Sequence, residues 1–115
     1  MAVMLLAVML SARGEAKESL TLLLDWYLNP DHAPIIIAKE QGYFAQAGLE
    51  VEMVEPADPS LPPKLVAAGK GDIAVSYQPQ LYLHLAAGLP IKRVASLVTT
   101  PLNALVPLET NHPLL

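Results

Sequence analysis

Cysteine is absent from this chain. That excludes structural disulfides, thiolate zinc sites and cysteine nucleophiles. Charge is scarce too, at 16% of residues, and the net charge is −4. Nucleic acid is bound through a basic face, which this composition does not supply. His32, His84 and His112 are scattered and form no H-x-x-x-H pair, so no metal site is expected. The glycines make no phosphate loop: Gly69-Lys70-Gly71-Asp72 precedes an apolar strand pattern, whereas a phosphate loop follows a strand and opens a helix. No serine sits in a nucleophile elbow with partners in view. Glu50 and Glu52 fall on one strand face and read as solvated. Composition and spacing therefore give catalysis almost no support.

What the chain does have is apolar residue, 53% of the total, enough to demand a core. The length of 115 residues fits one domain at most. Met1 to Leu10 is uncharged and almost wholly apolar. It is too short for a membrane-spanning helix, which takes about 20 residues. It resembles the apolar core of an export signal, with small residues following and a cleavage point after Ala16, although no basic segment precedes it. Residues 1–16 are thus expected to be a signal peptide, the only part able to associate with a membrane.

Proline is also abundant, 11 of 115 residues, mostly between apolar runs. The alternation predicts strands over Leu20–Leu24, Leu49–Glu55, Asp72–Ser76 and Ile91–Thr99. Asp72–Ser76 reads as a buried parallel strand. Helices are predicted over Pro34–Gln41, Leu61–Ala68 and Tyr77–Ala87, the last two stopped by Gly69 and Gly88. Gly42-Tyr43-Phe44 closes the first, Ala45–Gly48 makes a further turn, and Asp58 or Ser60 caps the second. Strands alternating with helices make an α/β fold with a mostly parallel sheet.

Ligands of open parallel sheets bind outside the carboxyl ends of the strands. At the end of the first strand stand Trp26 and Tyr27, then Asn29 and His32. At the end of the third stand Ser76, Tyr77 and Gln78. Aromatic faces and hydrogen-bonding groups delivered together suit a flat, polar, nitrogen-containing ring. On an extended chain the adjacent Trp26 and Tyr27 would point to opposite faces, one of them into the core.

The segments LLLDWYLNPDH, IAKEQGYFAQAGLEVEMVEP, DPSLPPKLVAAGKGDIAVSYQPQ and AAGLPIKRVASLV together resemble the N-terminal lobe of the thiamine-precursor (THI5/NMT1-like, or SsuA/THI5-like) family. The resemblance covers nearly all of residues 19 to 107. It implies part of a type II periplasmic-binding-protein-like lobe over residues 17–107, with a tail over 108–115 and a truncation there. It implies a solute-binding component of an ABC importer, periplasmic or cell-surface associated, that captures a pyrimidine precursor of thiamine and docks on a permease and its ATPase. Trp26 would stack on the ring, Asn29 and His32 would hydrogen-bond it, and Tyr77 and Gln78 would close the near wall. Asp58 and Ser60 would approach the cleft more remotely. Relatives that bind riboflavin precursors or sulfonates share much of the lobe.

The family also contains enzymes that make hydroxymethylpyrimidine. They carry a cofactor-linked lysine and, four positions on, a substrate histidine. This chain has Ser76 and Gln80 there, so the resemblance implies no cofactor and a binding protein rather than an enzyme.

Overall fold

The alternation along the first strand is realised in a computed structural model that describes residues 17–100. Strand β1 (Glu18–Leu23) pairs in parallel with β2 (Leu49–Val54) over its whole length, from Glu18 opposite Leu49 to Leu23 opposite Val54. On its other side β1 pairs in parallel with β3 (Ile73–Ala74), at Leu22 and Leu23. The order β2-β1-β3 leaves β1 in the centre of a three-stranded open sheet. Parallel neighbours need crossover connections. The first is built from a 3-10 turn (Pro30–His32), α1 (Ala33–Glu40) and α2 (Tyr43–Gln46). The second holds α3 (Pro62–Ala67), and α4 (Gln78–Ala86) follows β3. This is the α/β architecture expected, the beginning of a periplasmic-binding-protein-like lobe.

Period-two alternation decides the two faces of the sheet. Leu22, Leu24, Ile35 and Val51 form the buried core, with Leu20, Phe44, Leu49, Met53, Ile73 and Val75 packed around it. The opposite face begins polar, with Ser19 beside Glu50 and Thr21 beside Glu52, and turns apolar at Leu23, Val54 and Ala74. Leu23 is 5% exposed, so the central strand is covered on both sides only at its carboxyl end. Burying one such leucine contributes about 1.5–3 kcal/mol. Glu50 and Glu52 are exposed, as expected. Proline opens α1, α3 and α4, where its missing N–H has no intrahelical partner to lose.

Several elements differ from the reading of the sequence. The first strand begins at Glu18, two residues early. Ala45–Gly48 is not merely a turn, since Tyr43–Gln46 makes a short helix. Neither Asp58 nor Ser60 caps α3, whose N-cap is Leu61 without a side-chain bond. The third strand shrinks to Ile73–Ala74 and is half-buried, because only β1 flanks it. Ile91–Thr99 is not a strand. Strand propensity needs a neighbour's backbone to pair with, and among the described residues no ladder reaches it; Val94 is 69% exposed. The export signal and the tail lie outside the described residues.

Gly71 was expected to be only part of a turn. A Cβ there would meet Leu23 Cδ1 at 2.8 Å and Cγ at 3.0 Å. Gly71→Ala should therefore cost about 1–3 kcal/mol of stability by overpacking. Adding Leu23→Ala should cost less than the sum of the two single changes, since both act on one contact. Urea unfolding of the three variants measures this; strict additivity would show that Leu23 simply moves aside.

Candidate ligand site at the strand ends

The carboxyl ends of all three strands meet at the loop that follows β1. Asp25 directly follows Leu24, whose N–H still bonds Val54 O at 2.9 Å. From Asp25 the chain bends through Leu28, then enters the 3-10 turn. Asn29 caps that turn: its Oδ1 accepts the Asp31 N–H at 2.9 Å and its Nδ2 donates to Tyr27 O at 2.9 Å. Its own N–H donates to His32 Nδ1 at 3.3 Å, closing a capping box. Because Nδ1 accepts, the ring proton of neutral His32 must sit on Nε2. Nε2 lies 2.7 Å from Asp25 Oδ1. His32 is 1% exposed. The Leu28 N–H donates to Glu55 Oε1 at 2.8 Å, which ties the loop to the end of β2.

The third strand end joins the same cluster. The Tyr77 hydroxyl donates to the Asp25 carboxylate. Burial pushes the Asp25 carboxyl up, but the hydrogen bonds from Tyr77 and His32 outweigh it and hold the group below its ordinary range. The same hydrogen bond, with some burial, pushes the Tyr77 phenol up to about 12.

The exposed surface at this end is aromatic. Trp26 is 49% exposed, Tyr27 61% and Tyr77 51%. The Trp26 and Tyr27 rings do not point to opposite faces: the bend brings them edge to face, centroids 5.5 Å apart at 78°. Neither is in the core. Asn29 and His32, expected to bond a ligand, instead bond the loop itself, and His32 is enclosed. Ser76 Oγ donates to Gln80 Oε1 at 3.0 Å, and the Gln78 amide donates to the Tyr82 hydroxyl. Asp58 accepts the Ser60 N–H at 2.8 Å, which holds its carboxyl below the usual range and makes the pair a turn. Asp25, Glu55 and Tyr82 were missed. The signal for Asp25 was present: a carboxylate ending an apolar strand, with a histidine seven residues on. Nothing local marks Glu55.

An open hollow of about 500 Å³ lies elsewhere, beside β2, with Lys17, Lys39, Glu50 and Glu52 among its lining residues. It involves the amino ends of the strands, away from the aromatic cluster. Among the described residues no group of His, Asp and Glu is arranged to hold a metal ion.

The lowered Asp25 carboxyl has a pH consequence. Native protein binds fewer protons there than the unfolded chain, whose aspartates titrate near about 3.9. This stabilisation is complete above that value and disappears as pH falls through the lower folded value. Asp25→Asn should flatten the acid limb of a stability–pH curve measured by urea unfolding. At neutral pH, His32→Ala should cost about 1–3 kcal/mol, because the carboxylate loses a buried donor. An unchanged acid limb in Asp25→Asn would show that other carboxylates set it.

A family model described as NMT1/THI5 like matches residues 29–112. A Haemophilus influenzae protein named for thiamine biosynthesis is 55% identical over 107 residues, 93% of this chain and 34% of its own length. The formylaminopyrimidine-binding protein of Halalkalibacterium halodurans is 45% identical over 89 residues, 77% of this chain and 27% of its own. A 4-amino-5-hydroxymethyl-2-methylpyrimidine phosphate synthase of Uromyces fabae is 34% identical over 92 residues, 80% of this chain and 27% of its own. This chain thus spans about a third or less of the relatives it matches. The synthases correct one expectation. Ser76 and Gln80 were taken to exclude an enzyme, yet proteins named as enzymes align with most of the chain, so those two positions do not carry that exclusion. On the family match and the parallel α/β fold together, the chain belongs to the NMT1/THI5-like family.

Proposed function

We propose that this chain forms one wall of a cleft that captures a thiamine-related pyrimidine, in a solute-binding protein of an ABC importer. The observation that carries the reading is the exposed Trp26–Tyr27 pair, with Tyr77 beside it, at the carboxyl ends of parallel strands. Flat heteroaromatic rings gain from offset or edge contact with such faces. The similarity to a formylaminopyrimidine-binding protein supports the ring class. In this reading Trp26 stacks on the pyrimidine and Tyr27 braces it edge-on. Tyr77 lines the adjacent wall, and Gln78 with Ser76 offers polar groups at the rim. A second wall, from elsewhere in the full-length protein, closes over the ring. The closed form docks on a permease with its ATPase, and the protein works outside the cytoplasm after export. A second reading rests on the relatives named as synthases, which handle a pyrimidine of the same kind.

Capture of the ring is common to both readings and is tested first. Calorimetric titration of 4-amino-5-hydroxymethyl-2-methylpyrimidine should give weaker binding to Trp26→Ala by about 0.5–1.5 kcal/mol, with Trp26→Phe between it and the parent. Equal affinity in all three would remove Trp26 from the site.

A further inference from the structure

We propose that Asp25 is the positioning residue of this wall: one carboxylate fixes the His32 turn on one side and Tyr77 on the other, so that Tyr77 presents its ring face, not its hydroxyl proton, to the crevice. This rests on the pyrimidine reading for the ligand, but not for the geometry. Asp25 ends the central strand β1, between the two segments it joins. His32 reaches it from the connection toward β2, with Nε2 at 2.7 Å. Tyr77 reaches it from the end of β3. A carboxylate has lone pairs for several donors, and no neutral side chain of similar size can accept from both as strongly. Each donor is thereby committed. The His32 ring has its second nitrogen engaged by Asn29, so it cannot turn outward. The Tyr77 phenol gives its only proton to Asp25, leaving the crevice its half-exposed ring and one acceptor oxygen. The other charged groups facing Tyr77 and the turn are acidic: Asp31 acts on the phenol from the turn, and Glu55 holds Leu28 from β2. Ring faces, not Tyr77 or His32 protons, are then what a ligand meets on this side.

The test uses the whole chain and the variants Tyr77→Phe, Asp25→Asn and His32→Gln. If one carboxylate serves both donors, Tyr77→Phe should shift the low-field Nε2–H proton resonance of His32 at neutral pH, since that N–H gains the carboxylate to itself; His32→Gln assigns the resonance. In Asp25→Asn the Tyr77 phenol should ionise in the ordinary tyrosine range, near about 10, instead of the high range of the parent. Quenching of Trp26 emission by 4-amino-5-hydroxymethyl-2-methylpyrimidine should weaken about tenfold in Asp25→Asn, the size expected for loss of a charged hydrogen bond. A His32 resonance indifferent to Tyr77→Phe would overturn the proposal. So would a Tyr77 phenol that stays high in Asp25→Asn. Should Asp25→Asn not fold, the Tyr77→Phe resonance decides alone. Absence of quenching in the parent would count against the pyrimidine reading, while the two spectroscopic results still decide the role of Asp25.

Discussion

A buried carboxylate needs partners, and at the end of β1 that requirement organises everything downstream. Asp25 sits where the apolar strand meets the surface, and taking its charge from water is costly unless hydrogen bonds replace the solvent. His32 and Tyr77 supply them. Meeting this need fixes the path of residues 25–32. Once that path is fixed, Trp26 and Tyr27 have nowhere to go but outward. The aromatic surface is thus a by-product of satisfying a charge beneath it.

The sheet and the helices were legible because periodicity carries them. Leu20, Leu22 and Leu24 mark one face of β1, and the alternating glutamates of β2 mark its solvated side. Leu23 shows where periodicity fails: it stands on the face that Ser19 and Thr21 leave polar, and only the close approach of Gly71 encloses it. Ile91–Thr99 fails for a related reason. Its composition favours a strand, but a strand is a property of two segments, and the described residues offer it no second one.

The binding end was legible in place but not in role. Aromatic and polar residues do gather at two strand ends. Asn29 and His32, however, read equally well as ligand groups or as loop braces, since the same donors and acceptors serve either purpose. Distinguishing them takes the position of the third residue, Asp25, and that is set by tertiary packing. Ser76 and Gln80 carry a similar lesson. Their identities differ from a lysine–histidine pair, but identity at two positions is a narrow base for excluding an activity in a family whose named members include both binders and synthases.

The bonds that shape the loop are short in sequence. The Asn29 box closes within three residues and the Asp25–His32 contact within seven, whereas Leu28–Glu55 spans 27 and Thr21–Asp72 spans 51. Closing a short segment is entropically cheap and fast, and distant pairings come later. The Asp25–His32 segment therefore holds most of its own blueprint, and its curvature precedes the sheet's completion in folding. Such a segment is modular: in evolution, changes elsewhere in the protein can reshape the opposite side of the cleft while leaving this corner intact.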